Sequence, residues 1–191
     1  MKTYHFKIQI KDIQKPPVWR RILVPENITF DIFHQIIQAA FGWSDCHLYH
    51  FSLRAWTTEP IYKIPDEFDY DDGITEDSRI TKLSEVFNRP KQTLTYMYDF
   101  GDNWEHHIIL EKISDERIIT SLCIDGKGAC PPEDCGGIPG YYHLIEILND
   151  PKHRQHKEMK NWLGMAKDEK WDVNRFDSNT ANTRCSKIFL V

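Results

Sequence analysis

No run of about 18 consecutive apolar residues occurs in the chain, so nothing in it reads as a membrane-spanning helix. The start, Met1-Lys2-Thr3-Tyr4-His5-Phe6-Lys7, has no apolar stretch of the secretory kind and passes straight into an alternating pattern. The expected compartment is the cytoplasm. A basic excess is missing too: 24 Lys and Arg against 29 Asp and Glu leave a net charge of −5, which argues against a chain that coats nucleic acid. Cysteine is scarce and odd in number. Cys46, Cys123, Cys130, Cys135 and Cys185, without a secretory signal, do not make a disulfide framework, and reduced thiols are expected. There is no Walker-type phosphate loop, no nucleophile elbow and no paired-histidine zinc helix. Gly136-Gly137-Ile138-Pro139-Gly140 is glycine-rich but has no strand before it, and it does not fit a dinucleotide fingerprint. The common enzyme classes therefore lack a signature.

What is present is enough apolar material for a sizeable core: 40% hydrophobic and 13% aromatic residues in 191. That length suits one domain spanning 1–191. Residues 3–13 alternate, with Tyr4, Phe6, Ile8 and Ile10 on one face. Lys15-Pro16-Pro17 forces a turn, and Val18 to Val24 reads as the second strand of a hairpin. Phe30, Phe33, Ile36, Ile37, Ala40 and Phe41 recur at helical spacing, with Thr29 or Asp31 as cap and Gly42 as stop. Cys46 to Trp56 returns to strand character. Strand, strand, helix, strand is a β-grasp-like order.

Residues 57–80 read as an acidic excursion, because Asp66 to Asp77 holds seven acids and no base, which is usually a solvated loop. Placing Gly73 at the glycine of a calcium-binding EF-hand puts Phe68 and Tyr70 where carboxylates are required, so that site is excluded. A short helix at Ile80 to Phe87 follows. Leu94, Tyr96 and Tyr98, then Trp104, His106, Ile108 and Leu110, predict a central hairpin, and a third strand near Arg117 to Ile124 would extend it into a meander. Helices are expected at Tyr141 to Asn149 and Pro151 to Leu163, and residues 179–191 read as a tail. The fold class is α+β, with a mixed or antiparallel sheet and C-terminal helices.

Three places could carry chemistry. The hairpin turn gathers Asp99, Asp102, Glu105, His106 and His107, a set able to bind a divalent ion or to make turn hydrogen bonds only. His106 shares the apolar face with Trp104. In Cys130-Pro131-Pro132-Glu133-Asp134-Cys135-Gly136-Gly137, the thiols of Cys130 and Cys135 have a spacing that can reach one zinc ion, but no second cysteine pair exists to complete it. His47 aligns with Tyr49, Phe51 and Leu53 on the face that reads as buried, and His50 falls on the other, so the two do not share a metal. The basic stretch Lys152 to Lys160 could touch a phosphate backbone or be a solvated helix face.

Taken in order, Pro17-Val18-Trp19-Arg20-Arg21, Gly42-Trp43, His47-Leu48 with Phe51, Tyr98-Asp99-Phe100-Gly101-Asp102 with Trp104, His106 and Glu111, Cys130 through Gly140-Tyr141, Trp162-Leu163-Gly164 and Phe176-Asp177 resemble the plasmid pRiA4b ORF-3-like proteins. The resemblance spans roughly residues 3 to 178. It implies a plasmid or mobile-element setting and an activity not assigned to any reaction. Some relatives are described as resolvase-like, but no serine-recombinase pattern is present. The resemblance also implies that Asp99, Asp102, Trp104, His106, Cys130, Glu133 and Asp134 form one signature. The leading expectation is an accessory or binding module with a protein or nucleic-acid partner, meeting it at Asp99, Asp102, Trp104, His106, Glu133, Asp134 and His47. The alternative is a metal-dependent hydrolase or nuclease in which Asp99, Asp102 and His106 hold a divalent ion. A structural zinc on Cys130 and Cys135 is a third reading.

Overall fold

The protein is described by a computed structural model covering residues 1–55, 60–66 and 75–189. Strand β1 (Thr3–Gln14) turns at Pro16 into β2 (Pro17–Pro25), and the two pair antiparallel from Thr3 opposite Pro25 to Gln9 opposite Trp19. Helix α1 (Phe30–Phe41) follows. Its Thr29 hydroxyl accepts the Ile32 N–H, a cap worth about 1 kcal/mol, and it ends at Gly42 in the left-handed region with φ 101°. Its apolar stripe (Phe30, Phe33, Ile36, Ile37 and Ala40) is fully buried. Each such Phe or Ile contributes about 1.5–3 kcal/mol on leaving water.

The chain continues through β3 (Tyr49–Ser52), β4 (Ile61–Lys63), β5 (Thr75–Asp77), the one-turn helix α2 (Leu83–Val86), β6 (Thr93–Tyr98), β7 (Trp104–Ser114) and β8 (Leu122–Lys127). Helices α3 (Gly137–Asn149), α4 (His156–Trp162) and α5 (Ser178–Lys187) complete it. The strands form one mixed sheet in the order β5-β4-β3-β6-β7-β1-β2-β8, antiparallel except for β4 beside β5. Helix α1 lies across one face of this sheet: Phe33 packs on Phe6 (centroids 4.8 Å) and on Phe51 (5.7 Å). The opposite face is polar. There Arg21 pairs with Glu111 (2.7 Å) and Asp125 (3.0 Å), and Lys11 with Glu105 (3.0 Å). Exposed pairs of this kind are worth well under about 1 kcal/mol each.

Several expectations change. The strand after the hairpin does not extend a meander. β8 crosses the sheet and pairs with β2, because β7 already has β1 on its free side. The excursion at 57–80 contributes β4 and β5. Its residues 56–59 and 67–74, including the EF-hand positions, lie outside the described residues. The tail is helix α5, capped by Asp177, with Ala181 and Cys185 buried against α1 and β8; only 190–191 lie outside the described residues. Lys160, read as part of a solvated face, is buried and donates to Lys167 O (2.7 Å) and Glu169 O (2.6 Å). In α3, Leu144, which the helical spacing of the sequence turns inward with Ile145 and Leu148, is buried; Ile145 and Leu148 are only partly so, and Ile147 takes the inward place.

Arg20 and Phe176, both within the family-like motifs, turn out to be a latch. The Arg20 guanidinium, 3% exposed, donates to Ala40 O, Lys127 O and Gly128 O and lies between the rings of Phe41 (4.9 Å) and Phe176 (4.6 Å). Arg184 of α5 donates to Ala39 O (2.7 Å). Two cations thus meet the carbonyl end of α1, which has no basic residue of its own in its last turn.

Candidate functional site

Three loops converge at one end of the central strands. The first follows α1 and carries Trp43 to Leu48. The second is the β6–β7 turn, Asp99 to Asn103. The third is the Cys130–Gly136 loop that leads into α3. Trp43 Nε1–H donates to Pro131 O (2.9 Å), joining the first to the third. Gly136 N–H donates to Asp102 Oδ2 (3.0 Å), joining the third to the second. At Gly137 the approach is so close that a Cβ would lie 2.6 Å from Asp102 O. The hairpin turn and the cysteine loop, distant in sequence, therefore meet.

Between them lie His47, Asp99, Glu133 and Asp134. His47 Nε2 is 3.2 Å from Asp134 Oδ1, 3.6 Å from Asp99 Oδ2 and 4.0 Å from Glu133 Oε2. Despite those distances, His47 Nε2 and Glu133 Oε2 are buried atoms with no hydrogen-bond partner among the described residues. The other oxygen of each supporting carboxylate is spoken for. Glu133 Oε1 accepts from Tyr98 Oη–H (3.0 Å) and Ser44 N–H (2.8 Å). Asp99 Oδ1 accepts from Gly101 N–H (2.9 Å) and Asp102 N–H (3.3 Å). Each acid is thus held by one oxygen and presents the other. Burial pushes the Tyr98 phenol well above its ordinary range, so it stays a donor to Glu133.

Two overlapping groups of ligand atoms, each within 4.8 Å of one another, arise here: His47, Asp99 and Asp134, and Cys46, His47 and Glu133. Atoms bound about 2.0–2.2 Å from one ion in tetrahedral or octahedral geometry lie roughly 3.0–3.5 Å apart, close to the separations around His47. The backbone is bent to the same end. Asp45, Asp99, Asn103 and Asp134 all have φ between 54° and 56° and make up four of the six non-glycine residues with positive φ among those described. Such conformations cost energy and collect at functional sites.

A closed polar ring underlies the first loop. His34 Nε2 meets Asp45 Oδ1 (2.7 Å), His34 Nδ1 meets Tyr96 Oη (2.7 Å), Gln38 Nε2–H donates to Tyr96 Oη (2.9 Å) and Asp45 N–H returns to Gln38 Oε1 (3.2 Å). The His34 hydrogen bond holds the Asp45 carboxyl below its usual range. With Cys46 N–H donating to Tyr98 Oη (3.2 Å), the ring fixes the main chain just before His47, and Asp99 N–H donating to Leu48 O (3.0 Å) fixes it just after. His47, Asp45 and His34 border a cleft of about 240 Å³ that also reaches Asp31, Tyr49 and Phe100. None of His34, Gln38, Asp45, Cys46, Tyr96 and Tyr98 was singled out from sequence as a site residue. The available signal was His34 and Gln38, two polar residues spaced i, i+4 on the apolar face of α1.

Of the residues expected at the site, Asp99, Glu133, Asp134 and His47 are brought together. Asp102 sits beside them with one carboxylate oxygen on Gly136. Trp104 and His106 are fully buried. His106 Nδ1 bonds Trp104 O (2.9 Å) and its ring packs on Phe41 and Trp43 (5.2 Å each), so the set Asp99, Asp102 and His106 does not assemble as a ligand group; His47 supplies the imidazole instead. The cause is strand alternation, which sends His106 inward with Trp104. Cys130 and Cys135 belong to no group of three or more such ligands among the described residues. Burial raises both thiols, Cys135 to about 12, so in the metal-free chain they stay protonated. Leu53, expected beside His47 on a buried face, is 49% exposed.

The model of the plasmid pRiA4b ORF-3-like family matches residues 2–180. The chain belongs to that family. A protein of Sinorhizobium fredii (strain NBRC 101917 / NGR234), titled "Uncharacterized protein y4hQ", is 38% identical over 157 residues, covering 81% of this chain and 78% of that one. The crystal structure of MM3350 from Methanosarcina mazei Go1, titled a protein of unknown function, has 38% sequence identity and a TM-score of 0.76, with 93% of this chain and 96% of that chain covered. The family carries the mobile-element association of its name, and its activity is unassigned. No helix among the described residues is long and apolar enough to cross a membrane.

Proposed function

We propose that this family member is a metal-dependent hydrolase whose divalent cation is held by His47, Asp99 and Asp134, with Glu133 beside them. The observation that carries the reading is a pair of buried atoms without a hydrogen bond, His47 Nε2 and Glu133 Oε2. They lie 4.0 Å apart, and the same imidazole nitrogen is 3.2 Å from Asp134 Oδ1 and 3.6 Å from Asp99 Oδ2. A buried polar atom without a partner costs about 1–3 kcal/mol, and a cation between these atoms would satisfy them together. The imidazole favours a transition ion such as zinc over magnesium or calcium, which take oxygen ligands.

A bound cation would supply Lewis acidity toward a carbonyl or phosphoryl oxygen. The chain's own residues would do the rest. Tyr98 and Ser44 orient Glu133, and the turn amides orient Asp99. Asp134, with its side chain 71% exposed, is the ligand on the solvent side of the imidazole, where water and substrate would enter. The missing catalytic signatures, which favoured an accessory binding module, weigh less once the ligands are seen to come from three loops. No short motif could have announced them.

The test is direct. Purified without an affinity tag, the protein is expected to carry about one transition ion per chain by mass spectrometry. His47→Ala and Asp99→Asn are expected to lose it, and Cys130→Ser and His106→Leu to keep it. Ester, amide and phosphoester substrates then report turnover that a chelator abolishes. No metal above background in the wild type, with none taken up on dialysis against zinc, would overturn the proposal.

A further inference from the structure

Beside the cation cluster, α3 and α4 leave a groove of about 380 Å³, within the ~300–1,000 Å³ range of ligand pockets. Leu144 and Ile147, both almost fully buried, form its floor; Met159 is a partly buried wall, and Trp162, 49% exposed, is its rim. The groove and the cluster share a residue. Asp134 lines the groove and is also the acid whose Oδ1 lies 3.2 Å from His47 Nε2. Cys135, the next residue, lines the groove as well. The loop that carries both sits directly on the first turn of α3, since a Cβ on Gly140 would lie 1.8 Å from Cys135 O. Cluster and groove head are therefore one built piece. On the other side of the cluster, His47 opens on the cleft bordered by Asp31, Asp45 and Tyr49. The seat for the cation thus lies between that cleft and the α3–α4 groove.

We propose that the α3–α4 groove receives an apolar side chain of the substrate, the reacting bond of which lies at the cation. This rests on the metal reading above and adds the substrate class: a compound with an aliphatic or aromatic group next to the bond that is hydrolysed. Continuity with the cluster is what names the occupant, since Asp134 belongs to the groove and to the cation's ligands alike. Trp162 and Met159 select for the apolar part and take no part in bond breaking.

Hydroxamates test this, because the hydroxamate group chelates a protein-held metal while its tail explores the neighbouring surface. With the zinc-loaded, tag-free protein, affinities are measured by calorimetry for acetohydroxamate, hexanohydroxamate and 3-phenylpropanohydroxamate. The longer tails are expected to bind at least about tenfold tighter, given the several-fold gain expected per buried methylene. Trp162→Ala and Met159→Asp should remove most of that gain and leave zinc content and acetohydroxamate affinity unchanged. Equal affinity of short and long hydroxamates overturns the groove proposal and leaves the metal reading standing, as does a tail gain that survives both substitutions. Absence of bound zinc and of acetohydroxamate binding overturns both. A wild-type dimer in sedimentation that Trp162→Ala makes monomeric assigns the groove to a second copy, and that also overturns the proposal.

Discussion

Tyr98 shows how one hydroxyl can hold a site. It donates to Glu133 Oε1 and accepts from the Cys46 amide, so it ties the third loop to the first across the end of β6. Tyr98→Phe is expected to cost about 1–2 kcal/mol in denaturant unfolding and to weaken zinc binding roughly 10–100-fold, the usual effect of removing a group that orients a ligand. His106 makes a different demand. Burial lowers its pKa to about 4 from an ordinary 6.5, so the folded chain resists the proton that the unfolded chain accepts. Stability from this group is full above about pH 6.5 and falls as pH drops toward 4, by about 2 kcal/mol at pH 5. His106→Leu is expected to flatten the slope of unfolding free energy between pH 7 and 5, whatever its effect at pH 7; an unchanged slope would contradict the assignment. Asp99, Glu133 and Asp134 were legible in the sequence because acids in tight turns stand out. His47 is also among the residues expected at the site, but alternation places it on a buried strand face, whereas β3 begins only at Tyr49 and His47 lies on the loop. Cys130 and Cys135 join no group of three or more ligands among the described residues, because thiol spacing along the chain says nothing of what else a loop packs against.

The elements that build the site are held by close approach more than by regular pairing. Gly140 lets the first turn of α3 run under Cys135, and Gly164 turns the chain after α4 in open space, with nothing within 4 Å of a built Cβ. Gly164→Ala, at φ 66°, is expected to cost about 1–2 kcal/mol for its left-handed backbone alone. Gly140→Ala should cost more than about 3 kcal/mol, because the clash is with main chain that cannot rotate away. Chemical denaturation of both variants checks the order, and equal losses would contradict the described packing. The hairpins, α1 with its caps and the α3 region were legible because periodicity and Gly/Pro punctuation are local. The placement of β8 beside β2 and the docking of α5 were not. Both depend on which edge of the sheet is free, and α5 (Ser-Asn-Thr-Ala-Asn-Thr-Arg-Cys-Ser-Lys) is so polar that only Ala181 and Cys185 mark its buried side.

At the scale of the whole molecule, the sheet order places β6, β7 and β1 in the middle and β5 and β8 at the edges. Hydrogen exchange is expected to be slowest in β1 and β7, which are paired on both sides and backed by α1, and faster in β4 and β5. The site sits at the end of those central strands, so its three loops rest on the most stable part of the fold, which suits ligands that must be held within a fraction of an ångström. The β-strand order that brings loops 43–48, 99–103 and 130–136 together is a long-range property, invisible to any window of sequence; only the family-like signature hinted that they belong together. The central claim is that these loops hold one cation through His47. Titration calorimetry of the metal-stripped protein with zinc tests it most directly. A single site per chain, lost in His47→Ala and kept in His106→Leu, is the predicted result. No heat of binding in the wild type, or identical binding in His47→Ala, would contradict it.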